Sequence, residues 1–297
     1  MELTELIRTK RANPERTWNI ASSEHWYAGD DFWMDMITNN PVYREAMIVA
    51  ERKLIETICE ARTGSFPRGQ FIALGPGDSE KEAALRAALG TPVYVPIDIN
   101  ENELALAVRS VPGAVRPIHA EFRDGLAQLE PGKKFVYLGA TYSNLDAIDY
   151  DLLAAIDENI RRGDAFYVSA QTLPSPRDAP LLGYQYMNAQ FLHLNKRMTS
   201  SIGSETGDTF TQFNLATRNL EIGSVVTGVS GTAREVGMRP GDKVITMLSH
   251  KPAYLKAELD KRFAGRYAID FYGNSNPVDT PSGTYTSTFE GAILTKL

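Results

Sequence analysis

The stretch 70–100, Q-F-I-A-L-G-P-G-D-S-E-K-E-A-A-L-R-A-A-L-G-T-P-V-Y-V-P-I-D-I-N, constrains the fold more than any other part of the chain. Residues 71–74 form a short apolar run suited to a buried strand. Gly75-Pro76-Gly77-Asp78 follows as a turn, and glycine, having no Cβ, lets a ligand approach the backbone closely. Ser79 is placed to cap a helix, and 80–89 has helical composition. A second apolar run, 93–97, ends at Asp98. Strand, glycine turn, helix, strand and carboxylate are the ground plan of half a nucleotide-binding sheet, whose ligand sits beyond the carboxyl ends of the strands. A carboxylate at the end of the second strand can accept both hydroxyl protons of a ribose. G-P-G lacks the third glycine of the dinucleotide fingerprint, so the turn alone is weak evidence. Asp98, about twenty residues on, supplies the missing support. The competing reading is a tight turn with an N-cap and a solvated aspartate.

The rest of the chain extends this plan. Helix composition at 101–110 is followed by a third strand at 115–119, then Glu121-Phe122. A fourth strand, 134–138, runs into Gly139-Ala140-Thr141-Tyr142-Ser143-Asn144, and a loop of small and polar residues after a strand is where a doubly wound sheet keeps its chemistry. An amphipathic helix at 150–162 and a fifth strand at 164–170 complete the alternation, which implies a parallel sheet with helices on both faces. Beyond it, 183–201 reads as helical and 210–236 as β-rich, an inserted lobe. A strand at 243–249, a helix at 253–263 and a strand at 267–272 follow. Residues 273–283, rich in glycine and proline, read as a mobile loop, and 285–296 as a last strand. A closing hairpin on five parallel strands is characteristic of methyltransferase sheets rather than dehydrogenase sheets. The expected division is 1–62, the helical N-terminal part of a substrate lobe; 63–175, the Rossmann-like cofactor domain; 176–242, an inserted substrate lobe; and 243–297, the return to the Rossmann-like sheet. All three tryptophans, Trp18, Trp26 and Trp33, fall in the first segment. Such aromatic density means core packing or a lid that excludes water.

Composition removes several classes. A net charge of −6 over 297 residues argues against a nucleic-acid partner, which selects a basic stripe. A single cysteine, Cys59, excludes an internal disulfide and a multi-cysteine zinc site and fits a reducing cytoplasm. No apolar run is long enough to span a bilayer, and the first residues carry no signal-peptide core. His25, His119, His193 and His250 have no metal spacing and are expected to be structural, with no metal bound. Ser143 and Ser249 lack the setting of a nucleophile elbow. Nothing in the chain indicates an oligomeric state.

Five motifs in order, F-I-A-L-G-P-G-D-S-E-K, Y-V-P-I-D-I-N, A-E-F, V-Y-L-G-A-T-Y-S-N-L and V-I-T-M-L-S-H-K, resemble the histidine-specific N-alpha-methyltransferase family, from about Trp26 to the end. The resemblance implies an α/β fold: a Rossmann-like class I methyltransferase sheet that binds S-adenosylmethionine, with a second, α+β lobe for a small-molecule substrate. It places Gly75 and Lys81 at the amino-acid end of the cofactor, Asp98 at the ribose, and Glu121 and Phe122 at the adenine, with Glu121 where an aspartate is commoner. Gly77 and Gly139 join the cofactor set as the small residues of the two ligand-facing turns. Tyr27 matches a tyrosine closing over cofactor and substrate. Tyr43 matches the first of a tyrosine pair, with Arg44 in place of the second, and Asn144 an asparagine that grips the substrate. Tyr27, Tyr43 and Asn144 are the catalytic candidates, as positioning groups without a dedicated general base. Without the resemblance, Lys81 reads as a solvated helix lysine, the tyrosines as packing and Asn144 as a turn residue.

One departure bears on the substrate. The family's returning strand carries threonine, glutamate, any residue and serine, and the glutamate recognises the imidazole. Here the run is Thr246-Met247-Leu248-Ser249. A thioether leaves an imidazole N–H unpaired and instead suits apolar or aromatic surfaces. Met247 and Ser249 are therefore the substrate-side candidates, and the expected reaction is methylation of the amine of a small amino-acid-like metabolite that is apolar or aromatic. An oxygen acceptor, a nicotinamide-dependent oxidoreductase and a catalytically silent subunit are the alternatives.

Overall fold

The computed structural model describes residues 2–22, 25–26, 38–61, 69–77, 79–91, 93–148 and 150–297. Its centre is an eight-stranded sheet built from β2 (Gln70–Leu74), β3 (Val93–Asp98), β4 (Ala114–Val115), β5 (Ile118–His119), β6 (Lys134–Gly139), β7 (Ala165–Thr172), β11 (Tyr267–Thr280) and β12 (Gly283–Lys296). The order is β11-β12-β7-β6-β2-β3-β4, with β5 also on β3. β2, β3, β6 and β7 run parallel, and β12 enters antiparallel to β7. This is the expected class I methyltransferase sheet. After β2 the chain first adds β3 on one side and later β6 on the other, which opens a crevice beyond the carboxyl ends of β2 and β6.

Each face of the sheet has its own core, as a pleat of period two requires. Phe71 and Ala73 of β2 face one side with Tyr94, Phe135, Tyr137 and Tyr167. Ile72 and Leu74 face the other with Val95, Ile97, Val136 and Phe166. On the first face the rings form a ladder: Phe71 stacks on Phe135 at 5.3 Å and Tyr137 on Tyr167 at 5.3 Å. A helix over 41–61 lies against this face, with Leu54, Ile55 and Ile58 buried. Asn40 caps it, accepting from the Tyr43 N–H at 3.1 Å, and Pro41 occupies the first turn, where a missing N–H costs nothing.

A second, four-stranded sheet, β1-β10-β9-β8, combines β1 (Thr17–Asn19), β8 (Ser204–Asn214), β9 (Asn219–Val229) and β10 (Lys243–His250). The N-terminal segment is thus not wholly helical. The strand at 243–250 also departs from the expected return to the central sheet: it pairs with β9 from Lys243↔Val225 to His250↔Asn219, and with β1. An apolar run specifies a buried strand but not which sheet buries it, and the return begins only with the helix Leu255–Phe263. Residues 273–280 are strand, not loop, because hairpin pairing continues unbroken from Tyr267↔Lys296 to Thr280↔Gly283. β11 is an edge strand, where Pro277 is tolerated. The third strand divides into β4 and β5, and the helix expected over 150–162 is only Leu152–Asn159. Ser79 adopts φ +58° and makes no capping bond; its Oγ meets the Tyr94 hydroxyl at 3.2 Å.

Gly125 abuts β3 so closely that a Cβ there would lie 2.4 Å from Ile97 Cγ2. Gly125→Ala is expected to lower stability by about 1–3 kcal/mol, the usual cost of overpacking, in urea denaturation. Gly237, at φ +85° with open space around it, should lose only about 1–2 kcal/mol on the same change, from backbone strain alone.

Candidate active site

The sheet's carboxyl edge opens into a cleft enclosing about 1540 Å³, part of it open to solvent. Gly75, Gly77, Lys81, Asp98, Glu121 and Phe122 line one part of it, and Tyr43, Asn144, Met247 and Ser249 another. Gly139 does not line the cleft, although its neighbours Leu138 and Ala140 do. Its φ of +53° and a virtual Cβ 2.7 Å from the Tyr137 ring show what it supplies instead, a turn that only glycine fits over that ring. Tyr27 and Trp33 lie outside the described residues.

The backbone after β2 turns at Gly75 and Gly77, φ +66° and +60°, and the Gly75 N–H donates to Ile97 O at 3.0 Å. This pins the turn to the end of β3 and to Asp98. Asp98 is 8% exposed, and its Oδ1 accepts from the Asn100 N–H at 2.8 Å. Burial raises its pKa from 3.8 to about 6, against the backbone N–H bonds of Asn100 and Ile99 and the nearby His119, which lower it. Beside it Phe122, Ala120, Ile99 and Ile148 give an apolar wall, closed by Tyr150, over which Arg123 stacks at 4.0 Å.

Sequence reading missed Glu51. Residues 44–49 of the 41–61 helix form a π-helical turn, a feature frequent at functional sites. Tyr43, Met47, Ile48 and Glu51 all line the cleft from this helix. Glu51 is 1% exposed. Its Oε1 accepts from the Tyr137 hydroxyl at 3.0 Å, the Ala140 N–H at 3.1 Å and the Ser169 hydroxyl at 2.6 Å, and its Oε2 from Lys81 Nζ at 2.6 Å. Lys81 is therefore no solvated helix lysine. Burial, then the Glu51 charge, pushes the Tyr137 hydroxyl well above its ordinary pKa, so it stays a donor. A carboxylate within the apolar stripe Met47, Leu54, Ile58 was the available signal.

The far end is aromatic. Tyr43 meets Tyr186 edge-on at 5.7 Å, and Tyr186 meets Phe191 at 5.1 Å. Trp26 joins the lining, its indole N–H donating to Thr246 O at 2.7 Å. Tyr186 and Phe191 were visible in the sequence only as helical composition. In all, five carboxylates line the cleft, Glu51, Glu82, Asp98, Glu103 and Glu121, against the single cation Lys81, among the described residues.

Sheet order, glycine turn and carboxylate fit an S-adenosylmethionine-dependent methyltransferase, and the family profile described as "histidine-specific methyltransferase, SAM-dependent" matches residues 25–264. The chain belongs to that family. Curated protein sequences give no match. Solved structures similar in fold include the plantazolicin methyltransferase BpumL in complex with SAH, at 8% identity, 92% of this chain, 93% of that one and TM-score 0.46. Others are DhpI in complex with SAH, at 11% identity, 89% and 93% coverage and TM-score 0.41, and an S-adenosylmethionine-dependent methyltransferase from Mesorhizobium loti, at 11%, 81% and 96%, with TM-score 0.40. No helix among the described residues is long and apolar enough to cross a membrane.

Removing the Glu51 carboxylate strips one acceptor from three donors and separates it from Lys81. Glu51→Ala is expected to destabilise the protein by about 3–5 kcal/mol in urea denaturation, the cost of breaking a buried pair; a loss below about 1 kcal/mol, the scale of a surface pair, would contradict this reading.

Proposed function

We propose that the protein transfers the methyl group of S-adenosylmethionine to the amine nitrogen of a small amino-acid-like metabolite with an apolar or aromatic side chain. The observation that carries this reading is the turn at Gly75 and Gly77 pinned beside the buried Asp98, in a cleft with an acidic lining. An acidic lining favours a cationic sulfonium.

The residues present fit the cofactor. The turn at Gly75 and Gly77 has positive φ and no side chain to block approach. Ser143 lines the cleft, and its Oγ is buried and without a hydrogen-bond partner among the described residues. Asp98 would hold the ribose, Glu121 and Phe122 the adenine side, and Lys81, kept in place by Glu51, the amino-acid end. When bound, the cofactor would supply a sulfonium-borne methyl whose carbon takes the nitrogen lone pair in line as its C–S bond breaks, with a thioether as the leaving group. Tyr43 and Asn144 position the amine for that approach, and alignment is the main source of acceleration. Because an ammonium has no lone pair, the aromatic wall assists by disfavouring the charged form, and a tyrosine hydroxyl or water carries the proton away. Met247 offers no acceptor to an imidazole N–H, whose burial unpaired would cost about 1–3 kcal/mol; histidine is therefore disfavoured despite the family's name.

In titration calorimetry with S-adenosylhomocysteine, Asp98→Ala should abolish binding, and full binding would refute the site. Asn144→Ala should leave that binding intact while raising the substrate KM, read by mass detection of the methylated product. The pH dependence has a definite sign. The ribose bonds need the ionised Asp98 carboxylate, so affinity should fall as pH drops through about 6, by up to ~10-fold per pH unit. The ligand-free fold has the opposite preference, since protonation of a carboxyl with a raised pKa stabilises it below its ordinary value, and that contribution is lost as pH rises through about 6. The thermal shift produced by S-adenosylhomocysteine should therefore grow from about pH 5 to about pH 7, and Asp98→Asn should flatten that dependence.

A further inference from the structure

We infer that the inner end of the cleft is a carboxylate-binding subsite built on Lys251, so that an amino-acid-like substrate lies with its carboxylate there and its amine toward the acidic wall. This deepens the function proposed above and rests on it.

Lys251 is fully buried, at 0% exposure, directly after β10. Its Nζ donates to Gln171 Oε1 at 2.8 Å and to the Tyr186 hydroxyl at 3.1 Å, and lies 4.0 Å from Met47 Sδ. Among the described residues no carboxylate is within ion-pair distance of it. A buried charge without a counter-ion is expensive, and an anion entering nearby would offset that cost. Met47 and Tyr186, both in contact with the ammonium, line the cleft themselves, so the charge sits one side chain behind its wall.

The direction of the hydrogen bonds brings this charge to the surface of the cleft. The Gln171 amide nitrogen donates to Ser287 Oγ at 2.9 Å, and the Ser287 hydroxyl donates onward to Ala46 O at 3.1 Å. That fixes the Gln171 oxygen toward Lys251. An ammonium only donates, so the Tyr186 hydroxyl accepts from it; the Tyr186 and Ser249 hydroxyls are 3.0 Å apart, and we assign Tyr186 as the donor between them. Ser249 lines the cleft, and its own proton is left to donate there. The wall around Tyr186 and Ser249 therefore offers a donor backed by positive charge, which a carboxylate oxygen satisfies and an ammonium does not. Glu51, on the same wall as Met47, is already paired with Lys81; the acidic group left for the amine is Asp98 with its neighbours, and the two sites together orient a zwitterion. Met247, Tyr43 and Phe191 remain for its apolar side chain.

The test uses the full-length protein, with and without saturating S-adenosylhomocysteine, titrated with sodium phenylacetate and with 2-phenylacetamide, which keeps the shape and removes the charge. Wild-type protein should bind phenylacetate at least about ten-fold more tightly than the amide, a factor readily resolved by calorimetry. Lys251→Met should erase that preference, and Ser249→Ala should reduce it. Equal or undetectable binding of both probes to wild-type protein, or a preference that survives Lys251→Met, would overturn the subsite. Should Lys251→Met fail to fold, the wild-type comparison and Ser249→Ala still decide. Loss of S-adenosylhomocysteine binding with the phenylacetate preference retained would strike at methyl transfer instead, so the two failures are distinguishable.

Discussion

A single buried carboxylate, Glu51, joins the parts that make the cleft. It reaches from the helix over 41–61 to the hydroxyls of Tyr137 and Ser169 on two neighbouring strands, to the backbone just past β6, and to Lys81 on the helix after the glycine turn. Four donors on one buried anion satisfy its oxygens, which a lone ion pair would not do, and satisfaction of that kind makes burial of charge tolerable. The geometry has a consequence for binding. Lys81 is held at the cleft wall rather than in solvent, and the helix that delivers Glu51 delivers Tyr43 and Met47 as well.

Charge is distributed unevenly along the cleft. Five carboxylates line it among the described residues, and Asp98 among them is buried enough to hold its proton up to about pH 6. Lys251 lies behind Tyr186 and Ser249. The lining also includes an aromatic and thioether surface, Tyr43, Phe191, Met47 and Met247.

The central sheet was legible because its strands are short apolar runs that stop at glycine or at an acidic residue, and burial on both faces leaves that mark. Asp98 could be read from its place at a strand end, and Met247 and Ser249 from the motif around them. Other features were hidden for physical reasons. The strand at 243–250 is apolar enough for either sheet, and only its partners, β9 and β1, decide. Residues 273–280 look like a loop by glycine and proline content, yet an edge strand tolerates both. Glu51 was concealed because a helical carboxylate is ordinarily solvated, and nothing local shows that four donors converge on it. Lys251 was concealed in the same way, a lysine at the end of a strand whose burial is settled by residues distant in sequence.

The most direct measurement is a crystal structure of the protein grown with S-adenosylhomocysteine. The expected result is adenosine beyond the ends of β2 and β3, with both ribose hydroxyls on the Asp98 carboxylate and the sulfur opening toward Tyr43 and Asn144. Adenosine bound elsewhere, or a crevice filled by the protein's own side chains in crystals grown with saturating ligand, would contradict the placement of the cofactor and with it the proposed reaction.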